Sequence, residues 1–168
     1  MKKVSMVLLF ALVTMGFYSC STTPKVDYEC TDYFTKNDWD LTTNKSGDTI
    51  LFYNINKNIS LKNDFPSAVD STKFSMTLYS EQFNKLPTPD VFSKMLHEVL
   101  FKSKLSCKNQ GTYKPYEINT MFTDGDSTIN IKVDFFASNA YGTPGELHGY
   151  YKYDSKTYKL IDENVMEY

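Results

Sequence analysis

The sequence predicts an α+β domain in which one amphipathic helix packs on a curved antiparallel sheet. The expected order is strand, helix, four-stranded meander, with an extra N-terminal strand or hairpin. Residues 127–137 alternate strictly, with Ile129, Ile131, Val133 and Phe135 on one side and Thr128, Asn130, Lys132 and Asp134 on the other. That period of two is what a strand needs when one face is dry and the other meets water. Val91, Phe92, Met95, Leu96, Val99 and Leu100 recur instead at the spacing of one helix face, and an apolar stripe of that width must be buried against another element. Beyond the helix, short turn-rich segments separate four strand-like runs, the pattern of an antiparallel meander.

In chain order, residues 49–55 are β-branched and aromatic and read as a strand. Asn56-Lys57-Asn58 reads as a turn, with residues 59–61 returning from it. Residues 73–79 form the next strand, with Phe74, Met76 and Leu78 on one side. Pro87-Thr88-Pro89-Asp90 then opens the helix: a Thr N-cap, a proline at the first helical position and an acid near the positive end of the dipole. The meander is expected over residues 113–123, 127–139, 146–154 and 158–165. Asp124-Gly125-Asp126 and residues 154–157 supply turns, while residues 140–145, with two glycines and a proline, supply a longer or bulged connection.

The first residues follow other rules. Met1-Lys2-Lys3 is a short positive region, and residues 6–17 are an apolar run too short for a membrane span but right for a signal segment. The run ends at Ser19-Cys20. A small residue and then Cys after such a run resembles the lipobox of bacterial lipoproteins, in the looser form found in Bacteroidota, with Phe17 and Tyr18 where aliphatic and small residues are usual. The resemblance implies cleavage after residue 19, acylation of Cys20 and a protein held on a membrane of the bacterial envelope, periplasm-facing or surface-exposed. The expected division is a lipoprotein signal peptide at 1–19, a lipidated Cys and polar tether at 20–47, and a single domain at 48–168. Tyr28, Tyr33, Phe34, Trp39 and Leu41 are too apolar for a wholly solvated tether, so part of it is expected to lie on the domain.

Removal of residues 1–19 takes away Lys2 and Lys3 and no acid, leaving 16 lysines against 20 carboxylates, a formal charge of −4. The chain contains no arginine. An acidic surface without guanidinium forks argues against nucleic-acid partners. Cys30 and Cys107 are the cysteines besides Cys20, and an exported protein makes them a candidate disulfide pair.

Chemistry is sparse. Glu146 and His148 share one face of a predicted strand, and a carboxylate beside an imidazole can orient a base or hold a metal. A solvated pair on an open sheet face is the expected outcome. Asp124-Gly125-Asp126 lacks the later ligands of a calcium loop, and no nucleophile-elbow, zinc-protease or phosphate-loop motif occurs. No cofactor, metal or catalytic residue is expected. Tyr141 and Tyr150 with the 140–145 loop offer amphipathic contact surface, so Tyr141, Tyr150, Glu146 and His148 form the candidate binding surface.

The order of elements from about Lys73 onward resembles cystatin-like and NTF2-like α+β domains. Residues 112–116 and 137–142 resemble segments of small bacterial envelope proteins. The inhibitory cystatin hairpins are not matched: the corresponding turns read Thr123-Asp-Gly-Asp126 and Asp154-Ser-Lys-Thr157, and the one Trp is Trp39. The lipobox resemblance, together with the absence of a catalytic constellation, leads to the expectation of a lipid-anchored, non-enzymatic binding or accessory module for a protein or glycan partner. The alternatives are a small NTF2-like enzyme using Glu146 and His148, or a protease-inhibitor-like protein.

Overall fold

The computed structural model of the chain describes residues 32–35, 38, 45–46, 49–50, 53–79, 87–123 and 127–167. The chain is an α+β protein. Two short strands, β1 (Lys45–Ser46) and β2 (Thr49–Ile50), pair with each other. The main sheet has six strands in sequential order: β3 (Tyr53–Ile59), β4 (Thr72–Tyr79), β5 (Asn109–Thr123), β6 (Thr128–Ser138), β7 (Pro144–Asp154) and β8 (Leu160–Glu167). Helix α1 (Pro89–Ser106) connects β4 to β5.

Two expectations are corrected. The sheet is mixed, because β4 runs parallel to β5 while every other neighbouring pair is antiparallel. An 18-residue helix carries the chain back along the sheet and delivers the next strand in the same direction, and β3 and β4 extend the four-stranded meander to six strands. Asn56-Lys57-Asn58 is not a turn but the middle of β3, where each residue has a ladder partner in β4. Alternation over residues 54–59 outweighs the turn preference of asparagine once a neighbouring strand supplies hydrogen bonds. The reversal comes later, where Phe65 N and Asp64 N both donate to Leu61 O.

The helix begins as its sequence dictates. Val91 N donates to Thr88 Oγ1 and Phe92 N to Thr88 O, with Pro89 in the first turn. Phe92, Met95, Leu96, Val99 and Leu100 are buried, each contributing about 1.5–3 kcal/mol through area removed from water. They share one core with Ile129, Ile131, Val133 and Phe135 of β6. Gly149 of β7 lies close beneath the helix, since an added Cβ would stand 3.0 Å from Ser103 Oγ and 2.8 Å from the Tyr151 ring.

Tyr33 and Phe34, which precede the first strands, are buried in the core. Phe34 packs 4.8 Å from Phe74 and 5.3 Å from Phe92 between ring centroids. Tyr33 donates to Asp64 Oδ2 at 2.5 Å and lies 3.3 Å from His97 Nδ1. Tyr28, Trp39, Leu41 and the Asp124-Gly125-Asp126 turn lie outside the described residues. Among the described residues, no helix is long and apolar enough to cross a membrane.

Candidate functional site

Because side chains alternate across a strand, the six-stranded register fixes which residues share the face turned away from the helix. One row across it reads Asn56, Ser75, Asn119, Lys132, Tyr150 and Asn164. The next reads Asn54, Thr77, Met121, Asn130, Lys152 and Asp162. On the other side of the first row lie Asn58, Lys73, Glu117, Asp134, His148 and Met166. Most amides of the sheet thus fall on this outer face, together with the apolar side chains of Met121, Tyr150 and Met166.

The outer face is hollowed. A groove of about 650 Å³ runs over β4 to β8, with Ser75, Asn119, Asn130, Lys132, Tyr150 and Asn164 among its walls. A second depression of about 320 Å³ adjoins it at Ser75 and extends over Asn56, Asn58, Lys73 and Glu117. Several amides are already ordered: Ser75 Oγ donates to Asn119 Oδ1 at 2.5 Å, Asn130 Nδ2 donates to Thr123 Oγ1 at 3.0 Å, and Asn56 Nδ2 donates to Asn54 Oδ1 at 2.9 Å.

The candidate residues of β7 share this face but not one environment. Tyr150 lies in the groove, with Lys132 Nζ 5.9 Å from its ring centroid. His148 is not solvated and does not pair with Glu146, which corrects the expected arrangement. It is only 7% exposed, and its Nδ1 donates to Asp134 Oδ1 on the neighbouring strand. Asp134, 4% exposed, also receives Lys132 Nζ at 2.8 Å. A buried carboxylate needs this compensation, and the ladder places His148 directly opposite it. Sequence order had put Asp134 on the polar side of β6; its pairing with His148 follows only from the β6–β7 register.

Glu146 belongs to a third grouping. The register slips between Pro115 and Glu117, making Tyr116 an extra residue in β5, and such a bulge re-aims a side chain. The Tyr116 ring stacks on Phe136 at 4.8 Å, and its hydroxyl donates to Glu146 Oε1. Burial, together with that carboxylate, holds the Tyr116 phenol well above its ordinary pKa. Tyr141 stands in the β6–β7 loop at 93% exposure. Asn139 Oδ1 accepts from the backbone N–H of Tyr141 and Thr143, and Gly142 takes the left-handed conformation (φ 82°) that closes the turn.

Cys107 is a buried free thiol whose Sγ lies 3.2 Å from Ser103 O, and burial pushes it up to about 11. Cys20 and Cys30 lie outside the described residues. Among the described residues, no group of three His, Cys, Asp or Glu side chains is arranged to hold a metal ion. The fold and face define an α+β protein with a polar, hollowed sheet surface opposite its helix. No protein-family model matches the chain, and no curated protein is significantly similar to it.

Proposed function

We infer that this protein is a lipid-anchored, non-enzymatic binding module of the bacterial cell envelope, holding a protein or glycan partner on the outer face of its sheet. One observation carries the reading. The helix side of the sheet is filled by side chains such as Phe92, Leu96, Ile129 and Phe135, whereas the opposite side carries a groove of about 650 Å³ walled by hydrogen-bonding groups. The Ser19-Cys20 step after an apolar run supports the anchor, and two or more acyl chains on Cys20 would hold the protein durably. The strand–helix–meander order supports a cystatin-like or NTF2-like relationship for residues from Lys73 onward.

A small NTF2-like enzyme has less support, because Glu146 and His148 engage different partners, Tyr116 and Asp134. Replacing Cys20 by Ser tests the anchor. After expression in a bacterial host, the wild-type chain is expected in the membrane pellet and the variant in the soluble fraction. A variant that still sediments with membranes would sink the lipoprotein reading.

A further inference from the structure

We propose that the outer-face groove is a site for a neutral, polyhydroxylated ligand, an uncharged oligosaccharide lying across the strands. This rests on the reading of that face as a binding surface and narrows its occupant to one chemical class. Charge is the first argument. Lys132 is matched by Asp134 at 2.8 Å, and Lys152 stands opposite Asp162 in the ladder. With its charges balanced and no arginine in the chain, the groove gives an anionic sugar or phosphate no fork to grip and gives a basic peptide no surplus carboxylate.

Hydrogen-bonding character is the second argument. Asn119, Asn130 and Asn164 line the groove beside Ser75 and Thr77. An amide presents donors and acceptors a fixed distance apart, and a hydroxyl presents both on one atom, the pattern that matches vicinal sugar hydroxyls. Asn119 uses its carbonyl oxygen for Ser75, and neither its Nδ2 nor either end of Asn164 has a hydrogen-bond partner among the described residues. These groups lie on a rigid sheet, so little ordering entropy is lost when a ligand takes them up.

The apolar content is the third. Tyr150 at 37% and Met121 at 48% exposure are the large apolar side chains in the groove wall with substantial open surface. That suffices for the C–H faces of one or two sugar rings against an aromatic and a thioether. A protein partner would ordinarily want a larger desolvated apolar centre.

The test uses the full lipidated chain in a non-glycosidic detergent. Backbone amide resonances are followed by NMR as hexasaccharides of α-glucan, β-glucan, β-mannan, xylan and N-acetylglucosamine are added in turn. A galacturonate hexamer and an uncharged extended peptide serve as comparison probes. At least one neutral hexasaccharide is expected to shift amides of β5 to β8 around Asn119, Tyr150 and Asn164. Asn119→Ala and Tyr150→Ala, each retaining the dispersed spectrum of the folded chain, should weaken that binding by about tenfold, the scale of one lost hydrogen bond or stacked ring. Leu105→Ser on the helix should leave it unchanged. If only the galacturonate or the peptide shifts the groove, the neutral-sugar proposal is overturned while the binding surface stands. If no probe shifts it, both are overturned.

Discussion

Thr120 lies on the helix-facing side of β5 at 3% exposure, and its Oγ1 has no hydrogen-bond partner among the described residues. A buried hydroxyl left unpaired keeps its desolvation cost without compensation. Thr120→Val removes the orphan at nearly constant shape. It should raise stability by up to about 1 kcal/mol, a shift of about 2–4 °C in Tm, and a lower Tm in thermal denaturation would count against this account. His97 makes the opposite case, a titratable group that burial keeps neutral. Desolvation pulls its pKa below the ordinary value, partly offset by the Asp64 carboxylate. As pH falls through about 6.5 the unfolded chain therefore takes up a proton at this site more readily than the folded chain, so stability falls until the folded imidazole is protonated as well. Urea melts at pH 7 and pH 5 should show that loss in the wild type and a smaller one in His97→Gln; equal losses would exclude His97 as the source. Neither role was legible in sequence. His97 reads as a helix-flank residue until Tyr33 and Phe65, distant in the chain, close over it.

At the scale of elements, legibility tracked how locally each signal is written. Thr88, Pro89 and Asp90 announce the start of α1, and the Ile129 to Phe135 alternation announces β6, because caps and periods are short-range properties. The start of β3 falls within the strand read at residues 49–55, but its continuation was hidden because Asn56 and Asn58 favour turns in isolation. The Tyr116 bulge was hidden because it exists only in the register with β6. Residues 32–35 belong to no helix or strand, yet the Phe34 ring fills the space between β4 and α1. Phe34→Ala should cost about 3–4 kcal/mol, as for other buried aromatic truncations. A denaturant midpoint within experimental error of the wild type would show that the segment is ornamental.

For the whole molecule, the α+β class and helix α1 were readable, and the parallel junction was not. Local pattern identifies strands but says little about which neighbour a strand finds after a helix intervenes. The candidate face was legible only in part: Tyr150, His148 and Glu146 were found on one side of β7, while the amides from β3, β5, β6 and β8 become one surface only through pairing.

Parallel pairing across β4 and β5 joins residues 44 positions apart, such as Ser75 and Asn119, whereas β5, β6 and β7 are each followed within a few residues by the strand they pair with. Loop-closure entropy is therefore concentrated at this one junction. The groove crosses it, with Ser75 and Thr77 on one bank and Asn119 and Met121 on the other. An occupant touching both banks binds only the zipped sheet and adds its binding free energy to closure. A filled groove would act as a clasp, felt as slower unfolding and greater resistance to pulling along the chain.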